Sequence, residues 1–172
     1  MKLHIIGGPG SGKTWLADRL SAEFNVPAFD LDDIFWDRNA NRYGIRNSPE
    51  KRHAELRAIL RHKSWIVEGV YYAWLMESFH DADLIVILET FALLRDIRII
   101  RRFIKRKLGV VKTKKETLHD FWQLISWNHG YDKNNLKPAL DFISGFKDKI
   151  VIYETYDQIV DELKSNSVIN IK

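Results

Sequence analysis

Residues 7–14 read Gly7-Gly8-Pro9-Gly10-Ser11-Gly12-Lys13-Thr14, which fits the pattern G-x-x-x-x-G-K-[S/T] at every fixed position. The short apolar run Leu3–Ile6 precedes this stretch and predicts a strand. A helical pattern over residues 13–24 follows it. Strand, glycine-rich loop and helix, in that order, form the setting in which this pattern binds phosphate. The stretch therefore predicts an α/β fold that begins with a phosphate-binding loop.

Each residue type in this loop suits a triphosphate. The glycines permit positive φ and let backbone N–H groups approach the anion closely, and the following helix directs its unpaired N–H groups to the same place. Lys13 is expected to act between the β- and γ-phosphates, and the Thr14 hydroxyl to ligate Mg²⁺. We therefore predict that all eight residues, 7–14, bind ATP with Mg²⁺, and that Lys13 is also catalytic.

Further apolar runs predict four more strands, near residues 27–29, 65–67, 84–88 and 150–153. Helical patterns lie between and after them, near residues 49–62, 91–107, 114–127, 135–145 and 157–164. Such strand–helix alternation implies a parallel sheet with right-handed crossovers. The chain shows no internal repeat and no Pro/Gly/Ser-rich linker, so we expect one domain over residues 1–172, with its core at 1–90 and 148–172.

Composition excludes several classes of protein. The chain has 172 residues and no cysteine, which rules out disulfides and thiolate metal sites. No apolar run approaches the roughly 20 residues that a membrane span needs, and the N-terminus has no signal-peptide pattern. We expect a cytoplasmic protein without a membrane partner.

Basic residues concentrate between Phe91 and Lys115. This segment holds ten Lys and Arg against one Asp, a net charge of +9 in a chain whose formal total is +4. One interpretation is a solvated helix face; the other is a lid that brings positive charge to a transferring phosphoryl group. An apolar stripe is predicted to pack down onto the protein, with a basic stripe beside it. The first holds Leu93 or Leu94, Ile97, Ile100, Ile104 and Leu108; the second holds Arg95, Arg98, Arg102 and Lys105.

Other motifs narrow the function. The GTPase signature N-K-x-D and the transporter signature LSGGQ are absent from the sequence, and the chain is short for a helicase or AAA+ motor. A small phosphate-loop protein without those parts is most often a kinase of a metabolite or nucleotide.

The chain resembles the adenylate-kinase-like family of nucleoside, nucleotide and small-metabolite kinases, and within it the FlaR-type "DNA topology modulation" proteins. The resemblance rests on GGPGSGKT at 7–14, FDLDDIFW at 29–36, WIVEGVYY at 65–72 and LIVILETFALLRDIR at 84–98, and KIVIYET at 149–155 is compatible with it. It implies the three-layer αβα fold of P-loop NTPases, with five parallel strands in the order 2-3-1-4-5. It also implies an acceptor-binding segment at about 33–64 and a helical lid at about 91–147.

The resemblance assigns acceptor-side roles. Asp32 is expected to be the general base or to orient the acceptor hydroxyl; the alternative, a helix N-cap, fits Asp30 or Asp33 better. Trp36 either stacks on a planar acceptor or packs in the core, and packing is the better interpretation. Tyr71 is expected to line the acceptor pocket, and Arg46 to bind the phosphate of a monophosphate acceptor.

On the nucleotide side, Glu68 takes the place where relatives carry the acid that holds Mg²⁺ through water, although those relatives have Asp there. It is also expected to border the acceptor. Arg98 is expected to contact the nucleotide and to act in catalysis, with Arg102 as the second choice. Residues 154–157 are expected near the adenine.

The leading hypothesis is an ATP- and Mg²⁺-dependent phosphotransferase that moves the γ-phosphoryl group to a nucleoside, nucleotide or other small acceptor. Two alternatives stay open. One is a nucleotide-binding regulator that modulates DNA topology through the basic segment, although no helix-turn-helix, zinc or basic-zipper module supports nucleic-acid binding. The other is a bare ATPase. The sequence does not specify an oligomeric state.

Overall fold

The computed structural model describes residues 1–37, 39–40, 44–108, 117–153 and 156–165. These residues form an α/β fold whose sheet has five parallel strands in the order β2-β3-β1-β4-β5. The strands are β1 (Lys2–Gly7), β2 (Ala28–Asp30), β3 (Trp65–Gly69), β4 (Leu84–Leu88) and β5 (Ile150–Tyr153). The predicted fold class and strand order are confirmed.

Eight α-helices flank the sheet in the described part of the chain. They are α1 (Lys13–Phe24), α2 (Leu31–Phe35), α3 (Pro49–Leu60), α4 (Met76–Asp81), α5 (Ala92–Lys107), α6 (Leu118–Tyr131), α7 (Lys137–Phe142) and α8 (Tyr156–Ser165). A π-helical turn, Asp132–Leu136, joins α6 to α7, and a 3₁₀ helix, Ser144–Lys149, precedes β5. None of the helices in these ranges is both long enough and apolar enough to cross a bilayer.

The strand runs are apolar on consecutive positions because helices cover both faces of the sheet. On one face, Ile6, Val67 and Ile87 belong to the core cluster that includes Leu56 and Tyr131. On the other face, Ile5 and Val86 pack with residues of α1 and α8. The alternate residues of each strand thus enter two different hydrophobic cores.

Strand register positions the site. In β1, Ile5 pairs with Glu68 and Ile6 with Gly69 of β3, while Gly7 pairs with Leu88 of β4. The carboxyl ends of the three central strands therefore meet at one edge of the sheet, the edge where ligands of open parallel sheets bind. The loop at residues 7–14 emerges between Glu68 and the start of α5.

The orientation of α5 differs from the prediction. The predicted apolar stripe is exposed to solvent: Leu93 by 71%, Ile104 by 49% and Leu108 by 73%. The inward side carries Arg95 and Ile99 instead, each only 1% exposed. The packing prediction is therefore wrong, because α5 turns its mixed polar face towards the phosphate-binding loop. The predicted lid also contains residues 109–116, which lie outside the described residues.

Candidate functional site

The loop at residues 7–14 has the backbone that the glycine spacing predicts. Gly10 and Gly12 adopt left-handed φ angles of 74° and 101°, which glycine takes without strain. The Ser11 N–H donates to the Gly8 carbonyl over 3.2 Å. Gly12 is the N-cap of α1 and offers no side-chain cap, so the first-turn N–H groups of α1 are available to an anion.

Lys13 lies inside this loop. Its side chain is among the buried charged groups, with 9% of the residue exposed, and its Nζ donates to the Gly8 carbonyl over 3.0 Å. Burial lowers the pKa of Lys13, while the carboxylates of Glu68, Asp32 and Asp30 oppose this shift. The loop therefore holds a desolvated cation close to three carboxylates, as a site for a phosphate with a metal requires.

Thr14 and Glu68 meet at the loop. The Thr14 hydroxyl donates to Glu68 Oε1 over 2.6 Å, and Glu68 is 3% exposed at the end of β3. Burial raises the pKa of Glu68, and Lys13 and the Thr14 hydrogen bond counteract this. No group of three or more His, Cys, Asp or Glu in the described residues could hold a metal alone. The Thr14–Glu68 pair nevertheless fits Mg²⁺, which takes one or two protein oxygens and completes its shell with phosphates and water.

Asp30 and Asp32, at the end of β2 and the start of α2, make different contacts. Asp30 is the N-cap of α2 and accepts from the Asp32 N–H over 2.8 Å. Burial, together with Glu68, raises the pKa of Asp30 to about 6. Asp32 is not the cap; its Oδ1 accepts from the Tyr71 hydroxyl over 2.5 Å. Burial raises the pKa of Tyr71, which keeps the phenol protonated as a donor at neutral pH.

Aromatic rings and two arginines continue this surface from Tyr71. The Phe35 ring stacks on Tyr71 with centroids 4.3 Å apart. The guanidinium of Arg52 lies 5.0 Å from the Phe35 centroid and 5.5 Å from that of Trp74, and Arg46 lies 5.4 Å from Phe35. Arg52 Nε and Trp74 Nε1 are buried without a hydrogen-bond partner among the described residues. Two N–H donors beside the aromatic cluster therefore lack a hydrogen-bond partner among the described residues.

Trp36 belongs to the same cluster. Its ring meets Phe35 edge-on with centroids 4.8 Å apart, and its backbone forms an antiparallel bridge with Arg46. The favoured interpretation of Trp36 as a packing residue matches this contact, although the ring is only partly buried.

The predicted lid arginines lie at the loop. Arg98 Nη1 donates to the carbonyls of Gly10 (3.2 Å) and Ser11 (2.8 Å). Arg102 is near enough for its charge to lower the pKa of Lys13. Arg98 thus borders the candidate phosphate site, and Arg102 lies within electrostatic range of it. Of the predicted adenine-side segment, residues 154 and 155 lie outside the described residues.

Sequence reasoning missed the role of Arg95. It is 1% exposed, and a Cβ added to Gly8 would lie 2.8 Å from its Nη1. The guanidinium forms a two-pronged ion pair with Asp132, at 2.6 and 2.9 Å, and also donates to the Asn128 carbonyl. The pair fixes the first half of α5 between the loop and the π-helical turn. One arginine among many basic residues gives no sequence signal that its side chain will be buried.

A scan of the chain against protein-family models finds no match, and a search of curated proteins finds none either. The adenylate-kinase-like resemblance therefore rests on the motifs alone, and the functional conclusion has to come from the geometry of the site.

Proposed function

We propose that this protein is an ATP- and Mg²⁺-dependent phosphotransferase that moves the γ-phosphoryl group to a small acceptor. One observation carries the proposal: the buried Lys13, the Thr14–Glu68 hydrogen bond and the electrostatic influence of Asp32 on Lys13 meet at the carboxyl edge of the sheet. A phosphate cradle, a metal-binding pair and an acceptor-side carboxylate within one site are the parts that phosphoryl transfer needs.

In this proposal the loop and the N-terminus of α1 hold the triphosphate, and Lys13 moves from the Gly8 carbonyl to the outer phosphates. Thr14 would ligate the Mg²⁺ that accompanies ATP, and Glu68 would hold this ion through water. Arg98 and Arg102 supply positive charge from α5 to the transferring group, since such charge stabilises its transition state.

The acceptor lies on the Asp32 side. Asp32 accepts or orients the proton of an acceptor hydroxyl, and Tyr71 fixes the carboxylate through the 2.5 Å hydrogen bond. The Arg52 guanidinium, held over Phe35 and Trp74, suits an acceptor that also carries a phosphate or carboxylate. We propose Arg52 ahead of the predicted Arg46 for that role, because the Arg52 guanidinium lies over both Phe35 and Trp74, whereas Arg46 lies over Phe35.

The test is transfer from γ-labelled ATP to a panel of nucleosides, nucleoside monophosphates, and small alcohols with and without a carboxylate. We expect label in an anionic acceptor, with Arg52→Met raising its KM and the control Arg61→Met, at the solvent-exposed end of α3, leaving it unchanged. Release of labelled phosphate without transfer would instead favour the bare ATPase. If no acceptor is labelled and the protein does not bind ATP, the proposal is refuted.

A further inference from the structure

The outer side of α5 is an apolar stripe, defined here as Leu93, Ile97, Ile100, Ile104 and Leu108. The side chains recur every three or four residues along the 16-residue helix. Their residues are exposed by 71%, 43%, 40%, 49% and 73%, respectively. A contiguous apolar surface of this kind on a folded protein indicates a binding surface for another protein, a membrane or a ligand.

The stripe faces away from the nucleotide site. At about 100° per residue, Ile104 lies roughly 140° around the helix from Ile99. Ile99 is buried against the loop, where a Cβ on Gly10 would lie 3.1 Å from it. An occupant of the stripe therefore leaves the loop accessible.

The exposed charged side chains of α5 that border the stripe are all basic. Arg101 and Lys105 border it on one side and Lys107 on the other, and all three are exposed. Asp96 is the single acidic residue of α5. It is 9% exposed and is bonded to Asn128 (2.7 Å) and His129 (3.0 Å). The outer face of α5 therefore offers apolar side chains and cations and no carboxylate.

The combination of an apolar stripe and a basic border indicates which kind of partner binds the outer face of α5. A second copy of the chain would bring its own basic border against this one, and like charges oppose such pairing. Two cavities, of about 490 and 260 Å³, are lined by residues of other elements, so neither of them lies along the stripe. A lipid surface needs no groove: it takes an apolar stripe at the acyl boundary and basic side chains at its phosphates.

We propose that the outer face of α5 binds the surface of an anionic lipid membrane. The apolar stripe enters the headgroup–acyl boundary, while Arg101, Lys105 and Lys107 contact lipid phosphates. The neighbouring helix α6 contacts α5 through Phe121 and Phe103 and also has exposed Leu118 (62%) and Trp122 (64%); tryptophan favours the membrane interface. Binding of this type is peripheral and reversible, and it is independent of the proposed phosphotransferase function.

The test is co-sedimentation of the full chain with vesicles of phosphatidylcholine alone or mixed with phosphatidylglycerol. We expect binding to the mixed vesicles only, weakening as salt is raised. Charge reversal at two positions, Arg101→Glu with Lys107→Glu, should weaken it by at least roughly tenfold, at about 1 kcal/mol per basic residue. The double variant Ile97→Ser, Ile104→Ser should also lose binding.

A matched control is Ile45→Ser with Met76→Ser, because these residues are exposed by 47% and 46% at other places. This variant should bind the mixed vesicles like the wild type. Circular dichroism and ATP binding, measured on every variant, separate loss of membrane binding from loss of fold and from failure of the proposed enzyme. The proposal would be overturned if the protein bound neutral vesicles equally well, or if it did not bind anionic vesicles. It would also be overturned if sedimentation showed a dimer that the Ile97/Ile104 variant dissociates.

Discussion

Thr14 and Glu68 are joined by a 2.6 Å hydrogen bond between the first turn of α1 and the end of β3. The hydroxyl is the donor, so its oxygen keeps lone pairs for a metal, and Glu68 keeps its second carboxylate oxygen. Helix α1 and strand β3 thus contribute, from two residues 54 positions apart in the chain, one oxygen-rich position beside Lys13. The following predictions start from this edge of the sheet.

Glu68→Gln should weaken the binding of ATP·Mg²⁺ by about tenfold or more, as expected when an outer-shell partner of a metal is altered. Binding of ATP in EDTA should change much less, because the Lys13 and loop contacts remain. Isothermal titration calorimetry with and without Mg²⁺ measures both. Glu77→Gln, which alters an exposed carboxylate paired with Arg57, is the control. An equal loss in EDTA would contradict a metal role for Glu68.

Asp32→Asn should lower the transfer rate to the acceptor by about 10²–10⁴-fold, the usual contribution of a general base. The affinity for ATP should stay close to that of the wild type, because the hydrogen bonds of Asp32 go to Asp30 and Tyr71 and not to the loop. Tyr71→Phe should have a smaller effect, since it only frees the Asp32 carboxylate. Steady-state kinetics with separate KM values for ATP and acceptor give the comparison. Unchanged kcat in Asp32→Asn would exclude this residue from catalysis.

Gly10→Ala should destabilise the protein and abolish nucleotide binding. The position has φ of 74°, and a Cβ there would lie 2.7 Å from the Arg95 carbonyl oxygen of α5. The left-handed backbone alone costs a non-glycine residue about 1–3 kcal/mol. Gly145→Ala is the matched control, since no atom lies within 4 Å of its added Cβ. Urea unfolding compares the two; equal midpoints would show that the loop does not pack against α5.

His4 should make the protein sensitive to mild acid. Burial lowers the pKa of His4 to about 3, against about 6.5 in an unfolded chain. The unfolded chain thus binds the extra proton, so this stability is present above pH 6.5 and is lost as pH falls below it. Between pH 7 and pH 5 the loss is about 2 kcal/mol.

His4→Gln should remove that pH dependence, whereas the exposed His62→Gln should keep it. The comparison has to be made between variants, because Asp30, whose pKa is raised to about 6, changes stability in the opposite direction over part of this range. Urea unfolding at pH 5, 6 and 7 measures the slopes. Parallel slopes for wild type and His4→Gln would contradict a buried neutral imidazole.

The fold could be predicted because its signals are local. Each strand is a short run, several of them apolar on consecutive positions, and the glycine pattern predicts the strand–loop–helix unit at residues 2–24. The short helix α4 was not predicted, because six residues give no helical periodicity, and α2 was considered only as the helix that Asp30 or Asp33 would cap. The cap of α3 was predictable: Ser48 Oγ accepts from the Lys51 N–H over 3.3 Å, with Pro49 in the first turn.

The site was predictable where a motif encodes it and not elsewhere. Lys13, Thr14 and Arg98 lie at the loop as the motifs indicate. The burial of Arg95 could not be predicted from the sequence, because its partner Asp132 lies 37 residues away in a segment without a motif. Periodicity showed which residues of α5 share a face but not which face turns inward. That choice depends on contacts with Gly8 and Gly10, which only the tertiary structure provides.

The most direct test of the account is the affinity of the purified protein for ATP·Mg²⁺, with Lys13→Ala and the exposed Lys147→Ala as a matched pair. A charge-assisted hydrogen bond contributes about 1.5–3 kcal/mol, so Lys13→Ala should weaken binding by roughly tenfold or more, while Lys147→Ala binds like the wild type. Absence of ATP·Mg²⁺ binding in the wild type, or equal affinity in the wild type and Lys13→Ala, would contradict the proposal that residues 7–14 hold a nucleotide.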